Sequence, residues 1–158
     1  MKQELRLSGT GGQGLILAGI ILAEAALLDG KLAIQSQSYG PEARGGSSKS
    51  EVMISEEAIH FPKVTEPNLL LAMSQEAANK YSTDLSPESI LVTDSLFVSK
   101  LPAHSGKVYE LPITHSAKEV LGKALFANII ALGALVKITN IVSEESLVKA
   151  VLNRVPKG

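Results

Sequence analysis

The alternation of apolar and polar positions along the chain predicts six short strands. Leu5 and Leu7 alternate with polar neighbours, which is typical of a strand, and the same alternation recurs from Ser50 to Ile54. The segment from Leu69 to Met73 is instead continuously apolar, which is typical of a strand covered on both faces. The predicted strands are residues 3–8, 31–37, 50–54, 69–73, 90–93 and 108–111.

Between these strands, longer apolar segments and capping residues predict helices. Ser74 is a candidate N-cap for the second helix, and Ser143 is a candidate for the last. Ser116 and Glu119 form a capping-box pair at the start of a helix that continues or restarts through residues 125–137. The predicted helices are residues 14–28, 75–81, 116–137 and 144–154.

Strands that alternate with helices predict an α/β fold, a three-layer α/β/α Rossmann-like domain with a largely parallel sheet. No internal repeat, low-complexity tract or linker interrupts the pattern, so residues 1–158 are predicted to form a single domain. The apolar runs at residues 15–28 and 125–136 fall short of the roughly 18–20 residues that cross a bilayer. We interpret both runs as helices buried on most sides within the fold, with burial against another subunit as the alternative, and expect no membrane partner.

The composition narrows the range of functions. A formal net charge of −1 and an aromatic content of 4% give no reason to expect a nucleic-acid partner. The absence of cysteine excludes iron–sulfur clusters, thiolate zinc sites and cysteine nucleophiles from this chain. His60, His104 and His115 show no metal-ligand spacing and are interpreted as ordinary loop histidines. The N-terminus lacks a signal-peptide core, so a cytoplasmic location is expected.

The first glycine-rich loop, Gly9-Thr10-Gly11-Gly12-Gln13-Gly14, lies between a predicted strand and a predicted helix. Gly9, Gly11 and Gly14 have the G-x-G-x-x-G spacing of dinucleotide-binding loops, in which backbone amides and a helix N-terminus face a phosphate. A nicotinamide site also needs a carboxylate after the second strand, and that strand ends here in Gln37-Ser38-Tyr39. An alternative is that the glycines only allow the first helix to pack closely on the sheet.

The second loop reads Ser38-Tyr39-Gly40-Pro41-Glu42-Ala43-Arg44-Gly45-Gly46 and follows the second predicted strand. The guanidinium of Arg44 is suited to bind a carboxylate or phosphate through two hydrogen bonds, with Glu42 orienting it and Tyr39 adding a hydroxyl. The alternative is an ordinary surface ion pair between Glu42 and Arg44. These alternatives stay open on the residues alone.

Taken together, the two loops resemble the gamma subunit of the 2-oxoacid:ferredoxin oxidoreductases. The resemblance continues in the family's order over nearly the whole chain, and the Ser-Tyr-Gly-Pro-Glu-Ala-Arg-Gly-Gly form is similar to the 2-oxoglutarate-type branch. The further matching segments are Pro62-Lys63-Val64, Pro67, Gln75-Glu76-Ala77, Lys80-Tyr81, Asp94-Ser95, Pro112-Ile113-Thr114, Ala127-Asn128, Leu132-Gly133-Ala134-Leu135 and Ser143-Glu144-Glu145-Ser146-Leu147.

The resemblance implies a subunit of an enzyme that cleaves a 2-oxoacid oxidatively, joins the acyl group to coenzyme A and reduces ferredoxin. It implies alpha, beta and in some members delta subunits as partners, contacts between gamma subunits, and ferredoxin bound through the complex. Thiamine diphosphate, magnesium and the iron–sulfur clusters would lie on the partner subunits. Family members usually continue beyond the Val-Pro-Lys-Gly at residues 155–158, so a tail that holds partners is expected to be absent or truncated here.

Within such a complex, we expect this chain to carry no catalytic residue and no metal, and to form one wall of a binding site. Coenzyme A is the candidate ligand, and Asn128 is a weaker candidate contact because an amide in an apolar helix needs a hydrogen-bond partner. A bond from Asn128 to a neighbouring loop carbonyl is the alternative. The candidate binding residues are Gly9, Gly11, Gly12, Gln13, Gly14, Ser38, Tyr39, Gly40, Glu42, Arg44, Gly45, Gly46 and Asn128.

Three other interpretations remain open at this point. The first is the same role in a pyruvate or branched-chain 2-oxoacid enzyme. A stand-alone nucleotide-binding dehydrogenase would bind a nicotinamide cofactor as an isolated chain. A purely structural interaction subunit would bind no ligand of its own and would tolerate the loss of the Arg44 side chain with assembly and turnover intact.

Overall fold

The computed structural model describes residues 3–10, 14–38, 47–57, 67–102, 104, 106–123 and 126–154. These residues form the strands β1 (Gln3–Thr10), β2 (Leu32–Ser38), β3 (Ser47–Ser55), β4 (Leu69–Ala72), β5 (Ile90–Asp94) and β6 (Val108–Leu111). They also form the helices α1 (Leu15–Leu28), α2 (Gln75–Tyr81), α3 (Ile113–Leu121), α4 (Ala127–Thr139) and α5 (Glu144–Arg154). The predicted α/β fold is confirmed.

The strands form a six-stranded mixed sheet in the order β2-β3-β1-β4-β5-β6. Strands β1, β4, β5 and β6 are parallel, which is the arrangement predicted from the alternation of strands and helices. Strand β3 runs antiparallel to both β1 and β2. The physical reason is the short connection of residues 39–46, because a parallel connection needs a crossover of about a dozen residues or more.

Helices cover the sheet on both faces, as the three-layer prediction requires. The main hydrophobic core lies on one face and contains side chains from α1, α3, α4 and α5. A smaller cluster on the other face joins Ala77 and Tyr81 of α2 to Leu70 and Leu91 of the sheet. The central strand β4 is buried along its whole length because it is covered on both faces.

Two of the three predicted helix caps are confirmed. The Ser74 hydroxyl accepts a hydrogen bond from the Ala77 amide over 3.1 Å, and the Ser143 hydroxyl accepts one from the Ser146 amide over 3.1 Å. The third prediction, a start at Ser116, is wrong. Helix α3 begins at Ile113, because a carboxylate from outside the helix satisfies one of its first amides.

Helix α1 packs closely on the sheet at Gly19. A Cβ atom added to Gly19 would lie 2.2 Å from the Oγ atom of Ser50 in β3. That hydroxyl is fully buried and accepts a hydrogen bond of 3.1 Å from Gln35 Nε2 in β2. Because Gly19 has no side chain, the backbone of α1 can lie directly against the hydrogen-bonded side chains of Ser50 and Gln35.

Helix α5 is hydrogen-bonded to α1 near both of its ends. At its start, the Asp29 carboxylate accepts bonds from the Ser143 amide over 2.6 Å, the Ser143 hydroxyl over 2.7 Å and the Ser146 hydroxyl over 2.5 Å. At its end, Arg154 donates to the Glu24 carboxylate over 2.9 Å. Asp29 at the end of α1 and Glu24 within it therefore both hold α5 against α1.

We predict that Gly19→Ala lowers the free energy of unfolding by about 1–2 kcal/mol, because overpacking outweighs the gain in helix propensity. Gly133→Ala in α4 is the matched control, since among the described residues nothing beyond its chain neighbours and its own helix backbone lies within 4 Å of the added Cβ, and it should stabilise the chain by up to about 1 kcal/mol. Urea denaturation of the isolated chain measures both. Ser50→Ala should partly restore Gly19→Ala, and equal stability of the two glycine variants would contradict the prediction.

We predict that Asp29 stabilises the fold above about pH 4 and loses this contribution in acid. Burial opposes ionisation, but the bonds from Ser146 and Ser143 outweigh it and hold the pKa of Asp29 below its ordinary value of 3.8. A carboxyl whose pKa is lower in the folded state stabilises the protein at pH values above its unfolded pKa, and the contribution disappears as the pH falls through the folded value. The difference in unfolding free energy between the native chain and Asp29→Asn should be constant above about pH 5 and shrink below it.

Candidate functional site

The two predicted glycine loops leave the sheet at the same edge. Thr10, at the end of β1, pairs with Ser47 at the start of β3, and Ser38, at the end of β2, pairs with Lys49 of the same strand. The chain therefore leaves β1 and β2 and re-enters β3 at one edge. This is also the edge at which the parallel strands β4, β5 and β6 end.

Four of the predicted binding residues lie in the described part of the chain. Gly9 belongs to strand β1, where it pairs with Ser48, and Ser38 is the last residue of β2. Gly14 and Asn128 are in contact with each other. The remaining predicted residues lie outside the described residues: Gly11, Gly12, Gln13, Tyr39, Gly40, Glu42, Arg44, Gly45 and Gly46.

Gly14 begins helix α1 in a left-handed backbone conformation, with φ 73° and ψ 26°. This conformation favours glycine, because a Cβ atom would clash with its own backbone there. The Gly14 carbonyl accepts the first helical hydrogen bond, from the Ala18 amide over 3.0 Å. Gly14 has no side chain to cap the helix, and the first turn carries no acidic residue. A helix start of this kind can use its first amides to bind an anion.

Asn128 provides the contact between α4 and the start of α1. Its side chain is 5% exposed, and Nδ2 donates a hydrogen bond of 3.1 Å to the Gly14 carbonyl. A Cβ atom added to Gly14 would lie 2.6 Å from the same nitrogen. The structure therefore gives Asn128 the loop carbonyl that the sequence left open as the alternative to a ligand.

A charged cluster on the α2 face of the sheet was missed by the sequence analysis. Arg6 Nε lies 2.8 Å from Glu51 Oε2, and both side chains are nearly buried. Arg6, Lys49 and Lys80 each lie 5.4–5.8 Å from the centre of the Tyr81 ring. The alternation in β1 indicated a strand but gave no sign that its polar side chains are buried as well. Their burial follows from the central position of β1 in the sheet.

Asp94 connects the end of β5 to the start of α3. The residue is fully buried, and Oδ2 accepts hydrogen bonds from the Thr114 amide over 3.2 Å and from the Thr114 hydroxyl. Its Oδ1 atom accepts a bond of 3.2 Å from the Leu96 amide. This carboxylate supplies the helix cap that local sequence could not reveal, because the two segments are about 20 residues apart.

The loop that follows β5 exposes three large apolar side chains at the same edge. Leu96, Phe97 and Leu101 are 49%, 46% and 38% exposed. The loop backbone is held by Gln75, whose Oε1 atom accepts bonds of 3.0 Å from the amides of Ser99 and Lys100. The hydrogen bonds to Gln75 thus hold the backbone of the loop that carries these apolar side chains.

The histidines make ordinary contacts where the structure describes them. His104 Nε2 lies 2.7 Å from the Ser89 carbonyl oxygen, and His115 forms an exposed pair with Glu119 over 3.4 Å. His60 lies outside the described residues. Within the described ranges, no group of three or more histidine, aspartate or glutamate side chains could hold a metal ion. No helix formed by these residues is both long and apolar enough to cross a membrane.

Comparison with known proteins assigns the family. Residues 4–158 match the model of the pyruvate ferredoxin/flavodoxin oxidoreductase family. The chain belongs to this family. It is 53% identical over 161 residues to 2-oxoglutarate synthase subunit KorC of Methanocaldococcus jannaschii, covering all of this chain and 86% of that protein.

Solved structures agree with this assignment. A keto/oxoacid ferredoxin oxidoreductase gamma subunit from Geobacter sulfurreducens is 51% identical, with a TM-score of 0.92, and the match covers 99% of this chain and 87% of that one. A 2-oxoglutarate:ferredoxin oxidoreductase from Magnetococcus marinus, solved with 2-oxoglutarate, coenzyme A and succinyl-CoA bound, is 25% identical with a TM-score of 0.86. That match covers 97% of this chain and 27% of the other. The predicted resemblance to the gamma subunits is confirmed.

Proposed function

We propose that this chain is the gamma subunit of a cytoplasmic 2-oxoglutarate:ferredoxin oxidoreductase. The complex would convert 2-oxoglutarate, coenzyme A and oxidised ferredoxin to succinyl-CoA, carbon dioxide and reduced ferredoxin. The observation that carries the proposal is the 53% identity to a 2-oxoglutarate synthase subunit over the full length of this chain. A pyruvate or branched-chain enzyme is the weaker candidate for the same family role.

The contribution of this chain would be binding and not redox chemistry. The sequence contains no cysteine, so the chain supplies no thiolate for an iron–sulfur cluster. Thiamine diphosphate, magnesium and the clusters would therefore belong to the alpha, beta or delta subunits. Carbon dioxide would leave as the carbon–carbon bond breaks, and the two electrons left on the former carbonyl carbon would pass through those subunits to ferredoxin as the acyl group is joined to coenzyme A.

Coenzyme A is the ligand that we assign to the edge where β1 and β2 end. Its phosphates are anions, and the start of α1 at Gly14 carries neither a side-chain cap nor an acidic residue in the first turn. The amides of Gly11, Gly12 and Gly14 would bind one phosphate, and Arg44, steadied by Glu42, would bind a second anionic group. The Magnetococcus relative with coenzyme A bound supports this choice of ligand.

The strand order argues against a stand-alone dehydrogenase. In a dinucleotide-binding fold, the ribose carboxylate ends the strand next to β1. Here β3 lies between β1 and β2, so the end of β2 is about two strand spacings, or about 10 Å, away from the end of β1. That strand also ends at Ser38 and not at an acidic residue.

The apolar side chains at the same edge support a role within a complex. Leu96, Phe97 and Leu101 together expose apolar surface, and an aromatic ring such as that of Phe97 is enriched in protein interfaces. A partner that completes a coenzyme A site at this edge would cover them. We propose that the alpha or beta subunit docks here.

We predict that Arg44→Ala raises the KM of the complex for coenzyme A by about 10-fold or more, with little change in kcat. The reason is that a hydrogen bond to a charged group contributes about 1.5–3 kcal/mol. Arg154→Ala on α5, which removes a cation paired with Glu24, is the matched control and should leave this KM unchanged. Coenzyme A-dependent viologen reduction with 2-oxoglutarate measures both. Loss of the complex on Arg44→Ala would instead identify the loop as an interface.

We predict that Phe97→Ser weakens the binding of the chain to its partner subunits. The control is Val120→Ser in α3, because Val120 is 75% exposed but lies near the far end of that helix. The tagged chain is isolated from its host, and the co-purified thiamine enzyme is quantified. Phe97→Ser should recover clearly less of it than the native chain or Val120→Ser. Recovery of the native chain alone would count against the complex itself.

A further inference from the structure

We infer that Asn128 is a positioning residue that fixes the anion-binding start of α1 from the neighbouring helix α4. The inference rests on the proposed coenzyme A site and assigns Asn128 a role different from direct contact with the ligand. The contact is specific, because Nδ2 donates to the Gly14 carbonyl over 3.1 Å. The side chain is also 5% exposed, so it has little access to a ligand in solvent.

Because the peptide unit is planar, the hydrogen bond from Asn128 to the Gly14 carbonyl also fixes the direction of the Leu15 amide. The carbonyl of Gly14 and the amide of Leu15 belong to one trans peptide, so the two groups point in opposite directions. The Gly14 oxygen is held by two donors, the Ala18 amide over 3.0 Å and Asn128 Nδ2. With the oxygen fixed toward the helix, the Leu15 N–H is fixed toward the space in front of it. That space is where an anion binds at a helix N-terminus.

Close packing of Asn128 against Gly14 also restrains the start of α1, in addition to the hydrogen bond. The three atoms nearest to an added Cβ at Gly14 all belong to Asn128, at 2.6, 3.1 and 3.5 Å. Gly14 is therefore suited to this position in two ways. Its φ of 73° favours glycine, and the side-chain amide of Asn128 in α4 occupies the space that a Cβ atom would need. A fixed donor loses less conformational entropy when a ligand binds than a free one does. Asn128 would thus increase the affinity for coenzyme A without contacting it.

The test uses the assembled complex with Asn128→Leu, which keeps a similar size but cannot donate. Asn153→Ala is the matched control, because Asn153 Nδ2 also bonds α1, donating over 2.8 Å to Glu24 in the C-terminal half of that helix. We expect Asn128→Leu to raise the KM for coenzyme A about 5- to 10-fold, which corresponds to one neutral hydrogen bond. The kcat and the KM for 2-oxoglutarate should stay within about twofold, and Asn153→Ala should change none of these.

A second variant makes the hydrogen bond to the Gly14 carbonyl depend on pH. In Asn128→Asp, the protonated carboxyl can donate to the Gly14 carbonyl, whereas the ionised form cannot. Burial raises the pKa of a carboxyl above its ordinary value of about 3.9, so ionisation would occur as the pH rises from there. The KM for coenzyme A of Asn128→Asp, divided by the native value, should therefore increase with pH.

Hydrogen exchange of the peptide that contains Ala18–Ile20 separates the inference from the proposed function, because the Ala18 amide donates to the same Gly14 carbonyl that Asn128 holds. Asn128→Leu should increase the exchange of these amides about fivefold even without coenzyme A, because one restraint on the helix start is lost. Unchanged exchange would overturn the inference. An unchanged KM for coenzyme A in Asn128→Leu, beside a raised KM in Arg44→Ala, would also overturn it and leave the proposed function intact. If the native complex has no coenzyme A-dependent activity, the proposed function fails, and the exchange result still decides whether Asn128 fixes the helix start.

Discussion

The register of one strand, β3, determines how the rest of the molecule is arranged. Because β3 is inserted antiparallel between β1 and β2, it brings the ends of both strands to one edge. The same register places Ser50 beneath Gly19 of α1 and Glu51 beside Arg6 on the opposite face. A slip of one residue would exchange these faces and place a carboxylate under the helix, where Gly19 leaves no room for it. The loops, the packing of α1 and the buried ion pair are therefore fixed together.

This arrangement shows how a chain can contribute to an enzyme through backbone groups at the start of a helix. The start of α1 offers backbone N–H groups, which can bind an anion without any reactive side chain. The carboxyl edge of the sheet also presents exposed apolar side chains. Backbone donors bind an anion well only when they are held in place and when water is partly excluded. A rigid domain that is covered by a partner meets both conditions. In the Magnetococcus relative, the matched region is 27% of a longer chain, so that protein carries this domain and further structure in one polypeptide.

The local patterns predicted most elements, whereas contacts between distant segments could not be read from the sequence. The alternation around Leu5 and the continuous run from Leu69 to Met73 gave strands because each side chain's burial follows its own position in the strand. The start of α3 was predicted wrongly because its cap is Asp94, a residue from another strand. The order of the strands in the sheet could also not be predicted from local patterns, since strand pairing depends on packing and loop length together. For the same reason, the partner of Asn128 remained open until α4 was placed beside α1.

The glycine spacing in the first loop shows why a motif has to be judged by its surroundings. In dinucleotide-binding folds, the third glycine of G-x-G-x-x-G allows the helix to pack closely on a strand. Here the glycine at that position, Gly14, faces the amide of Asn128, and the close approach of α1 to the sheet occurs at Gly19 instead. The same spacing therefore meets a different steric requirement in this chain. The distance between glycines does not by itself specify the role of the last one, because that role depends on the side chain that packs against it.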